Sequence, residues 1–217
     1  MGNNDNKNEK KLAVIMLGAP GSGKGTQGEL LERNTGFKRY VMSDLIKKGL
    51  KKGTELYDKV YVKGILIDDS DIFNIFRKQF KGENDIIIDG IPRTLDQAYW
   101  LYGYLVRHNY DIKLVFLNLD EKNLFKRITS RFYCPKCHRS YNKITIKPKR
   151  DGICDDDGEK LVQRPDDTKK VFTERLAVFD EVKKVILDVY SGEIIEVDGD
   201  QDIALVSQGI LRKIILR

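Results

Sequence analysis

The stretch that decides the fold is KLAVIMLGAPGSGKGT, residues 11–26. Its apolar part, Leu12–Leu17, predicts a short strand that is buried on both faces. The glycine-rich segment Gly18–Gly25 follows, and a helical pattern then covers Lys24–Arg33. Glycines let successive backbone N–H groups point at one anion, and a helix N-terminus adds a positive dipole. The unit therefore predicts a phosphate-binding loop whose lysine, Lys24, reaches the β- and γ-phosphates of a nucleotide.

Similar strand-like segments alternate with helical patterns along the rest of the chain. Further strands are predicted at Phe37–Val41, Ile86–Ile88, Leu114–Leu119 and Ile194–Val197. Further helices are predicted at Ile72–Phe80, Leu95–Arg107, Glu121–Arg131, Lys169–Tyr190 and Ile203–Ile215. This alternation predicts an α/β fold of three layers, a five-stranded parallel sheet with helices on both faces. Ligands bind such sheets beyond the carboxyl ends of the strands.

Two segments interrupt the alternation and predict insertions. Ser43–Ile67 has helical signals but no strand, which indicates a helical insertion after the second strand. Phe132–Asp167 is too polar to form a large core and too long for an ordinary loop. Because this second segment contains every cysteine of the chain, we expect a metal ion to order it.

Composition limits the class of protein further. The 217 residues, 41% of them hydrophobic, suffice for one compact domain with inserted parts. The net charge of +6 suits an anionic ligand, whether a nucleotide, a nucleic acid or a membrane surface. The start of the chain, Met1–Lys11, is polar and has no apolar core of a signal peptide. We therefore expect a cytoplasmic protein with a disordered leader over about residues 1–10.

The cysteines form a metal-binding pattern. Cys134-x-x-Cys137 is followed by Cys154, and an odd count with a C-x-x-C argues against a disulfide framework. The C-x-x-C pair and a second pair of ligands that begins at Cys154 suit one tetrahedral Zn²⁺. This zinc would be structural, because four protein ligands leave no open position. The candidates for the fourth ligand are Asp157, Asp155, Asp156 and His138.

The phosphate-binding loop departs from the strict pattern, because Gly25 separates Lys24 from Thr26. The form G-x-P-G-x-G-K-G-T resembles the loop of adenylate kinases. The resemblance extends to Asp89-Gly-Ile-Pro-Arg-Thr94 with Gln97 and to Val197-Asp-Gly199. The family has a small domain, the LID, that closes over ATP. Residues that match the two ends of the LID are Arg127, Arg131, Arg164, Asp166, Asp167 and Arg175. The chain is thus similar to the long adenylate kinases whose LID binds zinc.

This resemblance implies the reaction Mg·ATP + AMP ⇌ Mg·ADP + ADP and assigns its residues. The implied catalytic residues are Lys24, Arg93, Arg131, Arg164 and Arg175. The implied ATP-binding residues are Gly21, Ser22, Gly23, Lys24, Gly25, Thr26, Arg127, Arg131, Ser140, Tyr141 and Gln201. The implied AMP-binding residues are Met42, Lys47, Ile65, Leu66, Ile67, Gly90, Ile91, Pro92, Arg93, Gln97, Arg164 and Arg175.

The resemblance also implies the domains, cofactors and partners. It places a nucleoside monophosphate (NMP) insertion at about residues 41–70 and the LID at about 132–167, within a kinase domain of residues 11–217. It favours Asp157 as the fourth zinc ligand. We expect a monomer that binds ATP and AMP or ADP, without nucleic acid or membrane.

Elementary chemistry supports several of these roles. Arg127 and Arg131 stand four apart on a predicted helix, so they should share one face. Asp89 ends a buried strand, which suits it to hold Mg²⁺ through water, and Asp44 is expected to assist. The phosphate of AMP is already an anionic nucleophile, so no general base is required. The two histidines, His108 and His138, are interpreted as incidental.

Three alternatives stay open at this point. Met42 and Lys47 stand where the family has threonine and arginine, so another acceptor, or GTP as donor, is a close alternative. A zinc-knuckle nucleic-acid binder would explain the basic run near Lys147 but leaves the phosphate-binding loop unexplained. A regulatory P-loop NTPase is disfavoured because no serine or threonine directly follows Lys24.

Overall fold

The computed structural model describes residues 10–58, 67–164 and 167–215. The strands are β1 (Lys11–Gly18), β2 (Lys38–Val41), β3 (Ile86–Asp89), β4 (Tyr110–Asn118), β5 (Arg131–Tyr133), β6 (Ser140–Asn142) and β7 (Ile194–Asp198). The helices are α1 (Lys24–Thr35), α2 (Met42–Gly49), α3 (Glu55–Tyr57), α4 (Asp69–Gln79), α5 (Leu95–Arg107), α6 (Glu121–Thr129), α7 (Lys169–Val189) and α8 (Ile203–Ile215). Of the predicted leader only Lys10 lies in the described part of the chain.

The central sheet confirms the predicted fold class. Within the described residues, five strands pair in the order β2-β3-β1-β4-β7, and every pairing is parallel. The first strand lies in the middle, where Val14 is aligned with Ile87 of β3 and with Lys113 of β4. The carboxyl ends of β1, β3 and β4 therefore meet at one edge of the sheet, and the phosphate-binding loop leaves β1 there.

The apolar run of β1 is buried on both faces because helices cover both sides of the sheet. Ala13, Ile15 and Leu17 point to one side, into a core shared with α4, α5 and α7. Leu12, Val14 and Met16 point to the other side, where α1 and α8 contribute Leu31, Val206, Ile210 and Ile214. This alternation along one strand is the physical reason for the three layers.

The two predicted insertions follow β2 and α6. Between β2 and α4 the described residues form the helices α2 and α3, as expected of a helical insertion, while residues 59–66 lie outside the described part. The second segment contains the antiparallel pair β5–β6, with Phe132 opposite Tyr141. It also has a small core of its own, formed by Cys134, Tyr141, Cys154 and Leu161, which its polar sequence did not predict.

One predicted helix ends earlier than expected. The helix predicted over Glu121–Arg131 ends at Thr129, and Arg131 is the first residue of β5, paired with Asn142. The expectation that Arg127 and Arg131 share a helix face is therefore wrong, because strand pairing competes with the last helical turn. Along the described segments of the chain, no helix has both the length and the apolar composition needed to cross a membrane.

Candidate active site

The phosphate-binding loop is built from glycines at positions where other residues would be strained. Gly21 has φ +87°, and a Cβ there would lie 2.8 Å from the carbonyl oxygen of Leu124. Gly23 has φ +95° and caps the N-terminus of α1 in the left-handed conformation. Only glycine adopts these conformations without cost, so the loop can pack closely on α6 and still present α1 to an anion.

Lys24 is the first residue of α1, and its side chain folds back over the loop. The ammonium group donates hydrogen bonds to the carbonyl oxygens of Gly18 (2.6 Å) and Ala19 (2.9 Å) and to Oγ of Ser22 (3.3 Å). Desolvation lowers the pKa of Lys24 to about 8, against the opposing charge of Asp89. Three positive charges add to this lowering: Arg93, Arg175 and Arg131. The fold thus brings four of the five predicted catalytic residues close enough for the charges of the three arginines to act on Lys24.

Asp89 lies at the end of β3 beside the phosphate-binding loop. It is 8% exposed, and a Cβ on Gly25 would lie 3.8 Å from its Oδ2. Burial raises its pKa, while the positive charges of Lys24, Arg39 and Arg93 act in the opposite direction. Arg39 is a residue that the sequence did not single out; it reaches this site because β2 is the neighbour of β3. The negative charge of Asp44 also raises the pKa of Asp89.

The other predicted catalytic arginines have different surroundings. Desolvation by its neighbours, and then the positive charge of Arg175, lower the pKa of Arg93. Arg131 forms a two-point ion pair with Asp167, in which its Nε lies 2.8 Å from Oδ2. The guanidinium of Arg164 lies 5.7 Å from the ring centroid of Tyr133.

A cavity of about 380 Å³ opens between α6, the second insertion and the loop before α8. Arg127 and Gln201, both predicted to bind ATP, line this cavity, and Nη2 of Arg127 donates a hydrogen bond of 2.8 Å to the carbonyl oxygen of Gly199. The sequence missed the other lining residues, which become neighbours only in the fold: Asn123, Lys126, Ile144, Thr145, Asp200, Asp202 and Ile203.

Tyr141, which is predicted to bind ATP, is not among the residues that line this cavity. Its side chain is buried in the small core of the second insertion. Its hydroxyl accepts a hydrogen bond of 2.8 Å from the backbone N–H of Asp155 and lies 3.5 Å from Sγ of Cys154. Ser140, its neighbour on β6, is exposed but also absent from the cavity lining.

The predicted acceptor side lies at the carboxyl ends of β2 and β3. Met42 begins α2 and is 3% exposed, and a Cβ on Gly90 would lie 3.2 Å from its own Cβ. Its side chain therefore belongs to the core rather than to an open binding surface, because α2 packs on α4. Lys47 is exposed on α2, while Ile67, Ile91 and Pro92 are buried or half-buried. Ile65 and Leu66, also predicted here, lie outside the described residues.

Gln97 connects Arg93, in the segment before α5, to helix α4. It lies in the first turn of α5, 5% exposed, and its Oε1 accepts a hydrogen bond of 2.8 Å from the backbone N–H of Arg93. Its Nε2 donates a hydrogen bond of 2.7 Å to Asp69 of α4. Asp69 is a second residue that the sequence did not single out, since it stands 28 positions from Gln97.

The metal-binding residues favoured in the sequence lie together. One ligand atom from each of Cys134, Cys137, Cys154 and Asp157 lies within 4.8 Å of all the others. Sγ of Cys137 is 3.5 Å from Sγ of Cys154, and Sγ of Cys134 is 3.3 Å from Oδ2 of Asp157. Zn–S bonds of about 2.3 Å in a tetrahedron would separate two sulfurs by about 3.8 Å, so the four groups fit one zinc ion.

The competing fourth ligands have other partners. Asp155 accepts a hydrogen bond of 2.8 Å from the backbone N–H of Lys149, and Asp156 pairs with Arg139. His138 is not part of the cluster. Asp157 accepts a hydrogen bond of 3.0 Å from the backbone N–H of Glu159, which is the main cause that lowers its pKa to about 2. Its carboxylate is therefore ionised and able to bind a cation.

Known proteins match the chain over nearly its whole length. A family model described as adenylate kinase matches residues 16–195. The adenylate kinase of Kosmotoga olearia is 36% identical over 212 residues, which cover 94% of this chain and 99% of that protein. The adenylate kinase of Mesoplasma florum is 38% identical, with 84% and 88% covered. That of onion yellows phytoplasma is 34% identical, with 92% and 96% covered.

These matches agree with the architecture and with the grouping of charged residues around the phosphate-binding loop. The family model begins at Met16, near the end of β1, and covers the phosphate-binding loop, β3 and both insertions. The relatives are similar from one end of the chain to the other, so the likeness is not confined to a shared nucleotide-binding motif. The chain belongs to the adenylate kinase family.

Proposed function

We propose that the cleft at the carboxyl edge of the sheet carries out ATP:AMP phosphotransfer, with the residue roles given below. The observation that carries this proposal is that Arg93, Arg131 and Arg175 lie close enough to Lys24, beside Asp89, for their charges to act on it. The triphosphate of ATP and the phosphate of AMP repel each other, and four cations in one cleft offset that repulsion. A site of this kind needs cations and alignment rather than a general base.

On the donor side, the backbone N–H groups of residues 21–26 hold the ATP phosphates, and Lys24 leaves its carbonyl partners to bind the β- and γ-phosphates. The adenine of ATP occupies the cavity beside Arg127, whose guanidinium is already positioned by Gly199. Arg131 binds the triphosphate through the N–H groups that its ion pair with Asp167 leaves free, and Arg164 and Arg175 reach the transferring phosphoryl group when the LID closes.

On the acceptor side, Arg93 clamps the phosphate of AMP, since a guanidinium offers two parallel N–H donors to a phosphate. Lys47 adds a second positive charge, and the amide of Gln97 contacts the base. Residues 65–67 and 90–92 complete the acceptor site. We assign the NMP insertion to about residues 41–70 and the LID to about 132–167.

Two metal ions belong to this proposal. Asp89, assisted by Asp44, would hold through water the Mg²⁺ that accompanies the nucleotide. Cys134, Cys137, Cys154 and Asp157 would hold Zn²⁺, which would join the two halves of the LID. The zinc has a structural role only, because its four protein ligands leave no position for a reacting group. We place the protein in the cytoplasm as a monomer.

A coupled assay of ADP formation tests the proposal. Each of ATP and GTP is combined in turn with AMP, GMP, CMP and UMP, and we expect the highest kcat/KM for ATP with AMP. A higher value for GTP, or for another acceptor, would contradict the substrate assignment while leaving the phosphotransferase class intact. Tight, salt-dependent binding of RNA or DNA without nucleotide turnover would instead support the nucleic-acid binder.

A further inference from the structure

The side chain of Asp69 binds two residues at the start of α5, Thr94 and Gln97, at once. Its Oδ1 accepts a hydrogen bond of 2.7 Å from Nε2 of Gln97, and its Oδ2 accepts one of 2.7 Å from Oγ1 of Thr94. Asp69 is the first residue of α4, and Thr94 caps the N-terminus of α5. A carboxylate that belongs to one helix thus fixes the start of the helix that carries Gln97.

The amide of Gln97 is anchored at its other end as well. Its Oε1 accepts a hydrogen bond of 2.8 Å from the backbone N–H of Arg93. An ionised carboxylate only accepts hydrogen bonds, and a backbone N–H only donates them. If the amide were rotated by half a turn, its nitrogen would face the N–H of Arg93 and its oxygen would face Asp69. Because Gln97 is 5% exposed, water cannot relieve these two contacts.

We propose that Asp69 determines the base of the acceptor nucleotide by holding the Gln97 amide in one orientation. The inference rests on the proposed function, in which Gln97 contacts the acceptor base. A primary amide has two N–H donors and two oxygen lone pairs, and the two anchors use one of each. One N–H donor on Nε2 and one lone pair on Oε1 of Gln97 are left for a ligand. Because Asp69 accepts only from Nε2, it determines on which side of the amide each of them lies.

This orientation selects between two classes of purine. The pairing edge of a 6-aminopurine presents a donor at N6 and an acceptor at N1. A 6-oxopurine presents the opposite pattern, an acceptor at O6 and a donor at N1, and it would need the rotated amide. Both anchors oppose that rotation, so the site takes a 6-aminopurine monophosphate and rejects a 6-oxopurine. Asp69 acts only through Gln97 and is therefore a positioning residue.

Competition between AMP and IMP in one reaction tests the proposal, since these acceptors differ only at this edge. The wild type, Asp69→Asn and the matched control Asp71→Asn, which removes the same charge from the same turn of α4, are compared. Asparagine can turn its NH₂ group toward a rotated Gln97, so the AMP:IMP ratio of kcat/KM should fall about tenfold or more, the value of one charged hydrogen bond. Asp71→Asn should leave the ratio unchanged.

The ratio separates specificity from folding, because both acceptors compete for the same molecules and the folded fraction cancels. Equal losses for AMP and IMP in Asp69→Asn would mean that Asp69 is merely structural, and the proposal would be overturned. A wild type that does not prefer AMP over IMP would overturn it too. A wild type that phosphorylates neither acceptor would instead refute the proposed function on which the inference rests.

Discussion

Arg131 and Asp167 form a two-point ion pair that joins the start of β5 to the residue that ends the second insertion. Nε of Arg131 lies 2.8 Å from Oδ2 of Asp167, and Nη2 bonds the other carboxylate oxygen. Arg131 is the first residue of β5, whereas Asp167 precedes α7 and its side chain is fully buried. A predicted phosphate-binding arginine is thus held in one orientation by a buried carboxylate of the protein.

We expect Asp167→Ala to destabilise the protein strongly, because it leaves the guanidinium of Arg131 without its buried partner. Breaking a buried pair in this way costs about 3–5 kcal/mol of the free energy of unfolding. The matched control is Asp180→Ala, which removes an exposed pair with Lys183 and should cost less than about 1 kcal/mol. Urea denaturation of both variants gives the two values, and similar small losses would contradict the role of the ion pair.

The lowered pKa of Lys24 predicts how ATP binding depends on pH. Its pKa is about 8 in the free protein instead of 10.5, mainly because of desolvation. Below that value the ammonium is charged and able to bind phosphate; above it the charge is lost. The kcat/KM for ATP at saturating AMP should therefore fall about tenfold for each pH unit above about 8. A profile that stays flat to about pH 10 would contradict the lowered pKa.

Arg93→Ala should impair the use of AMP more than the use of ATP. One charged hydrogen bond contributes about 1.5–3 kcal/mol, so kcat/KM for AMP should fall about tenfold to a hundredfold or more. Arg77→Ala, an exposed arginine on α4 that bonds Asn74, serves as the control and should behave like the wild type. If the loss appears only in the KM for ATP, Arg93 belongs to the donor site.

Lys47→Arg should lower the KM for AMP, because a guanidinium can bind a phosphate at two points where an ammonium binds at one. An improvement of up to about tenfold is expected, with the KM for ATP nearly unchanged. The neighbouring exposed lysine supplies the control, Lys48→Arg. Met42→Thr is not a useful partner mutation, since Met42 is buried in the core and its replacement would cost packing. An unchanged KM for AMP would remove Lys47 from the acceptor site.

The cysteine cluster predicts about one Zn²⁺ per chain by elemental analysis. Removal of the metal should lower the melting temperature much more than the activity at low temperature, because the ligands take no part in phosphoryl transfer. Asp157→Cys should retain the metal, since thiolate is a softer ligand for zinc. Asp157→Ala should lose it, whereas Asp156→Ala, which removes the partner of Arg139, should not. Protein purified without chelator that contains no metal would refute the site.

The sequence by itself determined the features that depend on neighbouring residues. Leu12–Leu17 is apolar at every position, so its strand had to be covered on both faces, and the layered fold follows. The glycines of residues 18–25 permit backbone conformations that other residues avoid, which determines the phosphate-binding loop. Helices α5 and α8 begin and end where their sequence patterns predict, because caps and periodicity are local signals.

The tertiary structure alone decided which side chains meet across the chain. The hydroxyl of Tyr141 lies 3.5 Å from Sγ of Cys154, because the small core of the second insertion buries that side of β6. Ile144 and Thr145 line the cavity beside Arg127 only after the segment that follows β6 has folded. Asp69 reaches Gln97 across 28 positions because α4 packs on α5. Such contacts depend on the packing of distant elements, and no local pattern of residues encodes them.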